Sequence, residues 1–252
     1  MDFQLTNPVV EYLAIRVHDL EKAVEFYRSV PGLVLLSEEN NLAFFSSHHE
    51  QNAFLILEDW SGEAMSGSSK LARLALRVAD ASSFYLLQEI FTKKDIPLIH
   101  LVDENINKAL SIKDPEGNVV TFFVDEKSTS QKHLYEMGKI HLQVNQLDKA
   151  EEFLENVLGL PVIFDQGQYF TLNSSQWLGL QKIDTETKKE AAGLDFIVVS
   201  LPNQEELQNL VDQLRAKKID FFKDAKLTIV TIFDLSGVEW WFVDRTNRKV
   251  QH

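Results

Sequence analysis

The chain has 252 residues and no cysteine, and its 38 acidic residues outweigh 25 Lys and Arg, for a formal net charge of −13. The missing cysteines exclude disulfides, thiolate metal centres and a cysteine nucleophile. The acidic balance argues against nucleic acid or an anionic membrane as partner, because both require basic patches.

A hydrophobic fraction of 44% and a charged fraction of 25% are those of a globular protein. The length suggests about two domains. Residues 1–10 show no basic n-region or long apolar core, and no segment reaches the roughly 20 apolar residues that span a bilayer. A cytoplasmic location is the expectation.

In chain order, four strand-like segments open four units: residues 11–17, 71–78, 138–144 and 193–201. Each is followed by a segment with apolar residues at three- and four-residue spacing, over 19–30, 80–94, 146–158 and 203–217. In the last, Leu207, Leu210, Val211 and Leu214 share one helix face, and Asn203 with Glu206 forms a capping pair. Short β-type runs come next: 33–37, 42–46 and 54–58, then 109–113 and 119–124. Units three and four repeat this at 161–164, 168–172, 177–181, 228–233 and 239–243. The pattern is α+β: a βαβββ unit of about 60 residues, four times over.

The repetition is also literal. Val17–Leu33, VHDLEKAVEFYRSVPGL, aligns without a gap on Val144–Leu160, VNQLDKAEEFLENVLGL, with 9 of 17 positions identical. The offset of 127 residues is half the chain, so the two halves are a tandem duplication. Expected domains are 1–126 and 137–244, joined by a polar linker at 127–136 and followed by a basic tail at 245–252.

These two segments resemble the opening of vicinal oxygen chelate proteins, a superfamily that includes glyoxalase I, extradiol dioxygenases and bleomycin-resistance proteins. DPEGNVVTFFVD at 114–125 is similar to that superfamily's closing turn and strand, and FDLSGVEWWFVD at 233–244 is a decayed version. SEENNLAFFSS and FLILED, with the two-domain length, look most like the CppA family, which carries the label of a complement-degrading proteinase. The resemblance implies two glyoxalase-like domains, each of two modules curled into a cup.

The resemblance also implies one divalent ion per cup, held by His or Glu at the start of first strands and by Glu in last strands. Here those first-strand positions hold Tyr12, Arg73, Lys139 and Phe196, and the closing positions hold Thr121 and either Trp241 or Trp240. None is a usual ligand, so no metal and no cofactor is expected. His141 and Glu58 soften this only partly. His141 is read either as a hydrogen-bonded histidine of a half-buried sheet or as a lone surviving ligand.

Other motifs are weak. His48, His49 and Glu50 lack the spacing of a helical zinc site and read as a solvated loop. The Ser/Gly-rich stretch at 61–69 holds no nucleophile elbow. The remaining constellation is the cup lining. Alternation turns Tyr12, Arg16, Arg73 and Arg77 inward in the first domain and Lys139, His141, Gln143, Ser200 and Trp241 inward in the second. The inward arginines are either structural ion pairs with acids such as Glu58 or a site for an anionic small molecule. Trp240 and Trp241 are either sheet packing or a stacking platform.

The expected function is therefore binding of a small anionic or aromatic ligand, or of a protein partner, through Tyr12, Arg16, Arg73, Arg77, Lys139, His141, Gln143 and Trp241. The alternative is an enzyme, with a metal-dependent activity on unusual ligands or the proteinase activity implied by the CppA resemblance.

Overall fold

The structure is a computed structural model that describes residues 3–47, 52–60, 71–99, 108–125, 128, 134–164, 168–184, 193–234 and 238–247. Unit one comprises β1 (Val9–Val17), α1 (Leu20–Ser29), β2 (Leu33–Glu39), β3 (Leu42–Ser47) and β4 (Leu55–Asp59). Unit two comprises β5 (Leu71–Val78), α2 (Ala81–Lys93), β6 (Lys108–Lys113) and β7 (Val119–Val124). Unit three comprises β8 (Tyr135–Val144), α3 (Leu147–Glu152), β9 (Val162–Phe164), β10 (Gln168–Thr171) and β11 (Trp177–Lys182). Unit four comprises β12 (Gly193–Leu201), α4 (Gln204–Ala216), β13 (Phe222–Lys223), β14 (Ile229–Phe233) and β15 (Glu239–Asp244).

Local chemistry explains where the helices start and stop. Asp19, Asp80 and Asn203 adopt extended backbone, and each side chain accepts an N–H three residues on, from Lys22, Ser83 and Glu206. Those bonds satisfy donors that the first helical turn leaves orphaned. The expected third helix, 146–158, is α-helical only to Glu152; Phe153–Val157 widen into a π-turn closed by Leu158 N–H on the Phe153 carbonyl. The repeated Gly-Leu corner has a physical cause too. Gly32 and Gly159 both have positive φ, 85° and 65°, and a Cβ would lie 2.1 Å from Leu134 in the first and from the Phe3 carbonyl in the second.

The strands form two sheets, and the sheets do not follow the two halves of the sequence. The order β13-β14-β15-β12-β1-β4-β3-β2 joins units one and four; β6-β7-β5-β8-β11-β10-β9 joins units two and three. The expectation that each half closes its own cup is corrected here: β1 pairs antiparallel with β12, and β5 with β8. β8 also begins at Tyr135, inside the stretch expected as linker. No helix among the described residues is long and apolar enough to cross a membrane.

In each sheet one face packs on helices. Leu13, Ile15, Phe45 and Trp240 lie on that face in the one–four sheet, and Leu74, Leu76 and Phe122 in the two–three sheet; all are buried. Tyr27 of α1 meets Phe45, Phe91 of α2 meets Phe122, and Phe153 meets Trp240. Each such ring, fully buried, contributes about 1.5–3 kcal/mol from removing apolar area from water. The closing turn ties the sheets together. Asp114 accepts from Glu116 N–H and Asn118 N–H, and its other oxygen accepts the Tyr27 hydroxyl at 2.9 Å. Burial pushes Asp114 upward from the usual carboxylate range, against the bonds it accepts from Asn118 and Tyr27. The decayed copy keeps the same device: Asp234 accepts Val238 N–H and the Trp240 indole at 2.9 and 3.1 Å.

Candidate functional site

The opposite faces, turned away from the helices, carry the candidate residues. Register divides the eight between the two sheets. Tyr12, Arg16 and Trp241 share the inner face of the one–four sheet; Arg73, Arg77, Lys139, His141 and Gln143 share that of the two–three sheet. The expected grouping of Arg73 and Arg77 with Tyr12, and of Trp241 with Lys139, is corrected by this pairing. The register also settles the tryptophans: Trp240 is fully buried toward the helices, and Trp241 faces inward opposite Val198.

On the two–three sheet a row runs Ser111–Thr121–Ala75–Lys139–Trp177–Thr171, and beside it Val119–Arg73–His141–Gly179–Tyr169. Arg73 Nε donates to His141 Nδ1 at 3.1 Å, and the Tyr169 hydroxyl lies 3.5 Å from Nε2. Lys139 Nζ lies 5.5 Å from the Tyr169 ring and 5.9 Å from the Trp177 ring, within cation–π range. Gly179 makes room for this arrangement, since a Cβ there would stand 2.5 Å from His141 Cδ2. Gln143 Oε1 is buried with no hydrogen-bond donor among the described residues. Arg77 differs from its neighbours. Its side chain is only 1% exposed, and the guanidinium is taken by Asp125 at 3.0 Å, Glu136 at 3.5 Å and the Ser175 carbonyl at 2.9 Å.

On the one–four sheet one row runs Phe222–Thr231–Trp241–Val198–Tyr12, and the next Phe233–Glu239–Phe196–Ala14–Ile56–Phe44. Phe196 and Trp241 stack with centroids 4.3 Å apart and planes 7° apart, and Tyr12 meets Phe196 edge-on. Arg16 sits 2.7 Å from Asp195 and 3.6 Å from Glu58, with Trp60 over its guanidinium at 4.6 Å. Burial raises Asp195 to about 7; Arg16 opposes the rise, while the hydrogen bond its protonated carboxyl donates to Glu58 and the charges of Glu58 and Glu239 add to it.

Asp195, Glu239, Trp60, Tyr169, Trp177 and Glu136 were absent from the sequence-based lining. The signal for the acids is a paired motif, Leu13-Ala14-Ile15-Arg16-Val17 and Leu74-Ala75-Leu76-Arg77-Val78. In both, register shifts after the alanine, so strict alternation fails on the partner strand. The irregularity brings Asp195 to Arg16 and Glu136 to Arg77.

Among the described residues, cations, aromatic rings and already bonded side chains occupy the expected ligand positions of both inner faces. Arg73, Lys139 and His141 crowd one, Thr121 is hydrogen-bonded to Ser111 at 2.8 Å, and Arg16 stands between Glu58 and Asp195 on the other. Among the described residues no group of three or more His, Asp or Glu could hold an ion. His48, His49, Glu50 and the stretch at 61–69 lie outside the described residues. An open cavity of about 470 Å³ lies elsewhere, at the seam of the sheets, lined by Glu11, Ser47, Tyr135, Glu136, Asn173 and Gln176 among others. Gln176 stitches that seam, accepting from Val10 N–H and donating to the Val10 carbonyl.

Four repeated units that each open with a strand and a helix, giving four helices and two sheets among the described residues with inner faces turned away from the helices, make up the vicinal oxygen chelate fold. Within it, residues 10–132 match the CppA N-terminal family, and residues 136–242 match the Glyoxalase/Bleomycin resistance protein/Dioxygenase superfamily. The chain thus carries a CppA N-terminal domain followed by a glyoxalase-type domain. It is 22% identical to a catechol-2,3-dioxygenase of Bacillus subtilis (strain 168), over 82% of this chain and 87% of that one. Among solved structures, a provisionally named dioxygenase of Bacillus subtilis subsp. subtilis str. 168 superposes with TM-score 0.78 at 13% identity, covering 99% of this chain and 88% of that one. The cppA protein of Streptococcus pneumoniae TIGR4 superposes with TM-score 0.62 at 17% identity, covering 96% and 98%. At these identities the structures speak for the fold alone.

Proposed function

We propose that the chain is a ligand-binding member of this fold that has lost the metal site, and that the inner face of the two–three sheet takes a small aromatic carboxylate. The observation that carries the reading is the side-by-side placement of Arg73, Lys139 and His141 against the rings of Tyr169 and Trp177. Forked guanidinium donors and an ammonium suit a carboxylate, and the two rings suit a flat body. The buried Gln143 Oε1 adds an acceptor for a ligand donor. Arg77, enclosed by two acids, supports the floor and does not reach the ligand. Calorimetric titration with benzoate tests the reading. Binding that is lost in the Arg73→Ala, Lys139→Ala double variant supports it; identical heats in both proteins would end it.

A second reading is a ring-cleaving or related metal enzyme, favoured by the catechol-2,3-dioxygenase relative. It requires an ion at a face crowded with cations, where repulsion opposes binding. Elemental analysis of the purified chain decides: a stoichiometric transition metal together with turnover of catechol would replace the first reading.

A further inference from the structure

We infer that the inner face of the one–four sheet is a separate binding site for a flat organic cation. Two rows of inward residues carry the inference. Phe222, Trp241 and Tyr12 lie along one, and Phe233, Phe196 and Phe44 along the other, so six aromatic rings from units one and four line a single face. At its β13–β14 edge, Phe222 and Phe233 are 65% and 47% exposed. Large apolar side chains left open together on one face mark a contact surface more often than isolated ones do.

Charge selects the occupant. Glu239 lies in the second row between Phe233 and Phe196, and Glu58 and Asp195 close the end of the face. Among the described residues Arg16 is the cation facing these three carboxylates, so the acids outnumber it three to one. Glu239 accepts the Trp241 indole through one oxygen at 2.7 Å, which holds its carboxylate at the stacked Phe196–Trp241 pair. Ring faces with adjoining carboxylates attract cations by quadrupole and by charge together. The same elements repel the carboxylates that the two–three sheet is proposed to take. The inference does not depend on that proposal, because it concerns the other sheet and the opposite charge.

The test uses benzamidine, its neutral isostere benzamide and the anion benzoate, each titrated into the full chain at pH 8 by calorimetry. Benzamidine is expected to bind at least tenfold more tightly than benzamide. Glu239→Gln and the exposed-edge variant Phe222→Ser are each expected to weaken it fivefold or more, while the Arg73→Ala, Lys139→Ala pair leaves it unchanged. Phe222→Ser alters an open side chain, so a folded variant is available whatever becomes of Glu239→Gln. Equal affinity for benzamidine and benzamide, or benzamidine binding unaffected by both variants, would overturn the inference. A concentration-dependent dimer in sedimentation that Phe222→Ser dissociates would also overturn it, since the face would then belong to a second copy of the chain. If benzoate fails to bind while benzamidine behaves as stated, the two–three sheet proposal falls and this one stands.

Discussion

Arg16 and Arg77 hold the same position in the two Leu-Ala-x-Arg-Val strands, yet the sheets use them differently. Arg77 is 1% exposed, and Asp125, Glu136 and a carbonyl consume its guanidinium. Arg16 is 22% exposed and faces Asp195, Glu58 and Trp60. The residue four places earlier differs as well: Arg73 in one sheet, Tyr12 in the other. One duplicated frame has thus produced a cationic inner face and an acidic, aromatic one. The scaffold geometry is shared through the bulge beside the arginine, and the polarity is set by a few side chains projecting from it.

The largest expected effect separates the two arginines. Arg77→Ala opens a void at a site only 1% exposed and takes the guanidinium from half-buried Asp125, and should cost about 3–5 kcal/mol, read from denaturant unfolding. Arg16→Ala, at a partly open site, should cost about 1 kcal/mol or less. Equal costs would show that the arginines are equivalent and would break the comparison. Gly179→Ala comes next. Its Cβ must displace the His141 ring from 2.5 Å, which should destabilise by about 1–3 kcal/mol through overpacking and weaken benzoate binding. Removing the Tyr27 hydroxyl by Tyr27→Phe takes a donor from buried Asp114 and should cost about 1–3 kcal/mol. This loss should fall equally on both faces, because the clamp joins them.

The smallest effect is one of pH. Asp195 titrates near 4 when unfolded and is raised to about 7 when folded, so the folded chain holds this proton more tightly. The stability it contributes is complete below about pH 4 and is lost as pH rises through about 7. Arg16, Glu58 and Glu239 are the charged groups that face it. Asp195→Asn has no such titration. Melting temperatures at pH 4.5, 6, 7 and 8 should therefore move in favour of the variant as pH rises, and level off above 8. A constant difference across that range would show that Asp195 is not shifted.

What could be read from the sequence was local. The starts at 71 and 193, the caps at Asp19, Asp80 and Asn203, and the Gly-Leu corners depend on side chains within a few residues of one another. Alternation also named the inner face of Tyr12, Arg16, Arg73, Lys139 and His141 correctly. It could not name the partner strand, because period two tells a side chain which face to take and not which edge its strand will join. Units one and four, and two and three, pair across at least 57 residues of chain, and that choice decides which cations meet. Asp195 and Glu136 escaped for a second reason: a bulge reverses the alternation just where each acid meets its arginine. The choice between Trp240 and Trp241 needed the β12–β15 register.

The most direct test is a pair of titrations on one sample, followed through the indole N–H resonances. Trp177 reports the two–three sheet and Trp241 the one–four sheet, and each signal is assigned from its Trp→Phe variant. Benzoate should shift Trp177 and leave Trp241 in place, while benzamidine should shift Trp241 and leave Trp177. Both probes moving the same indole would contradict the account of two faces with opposite charge preference.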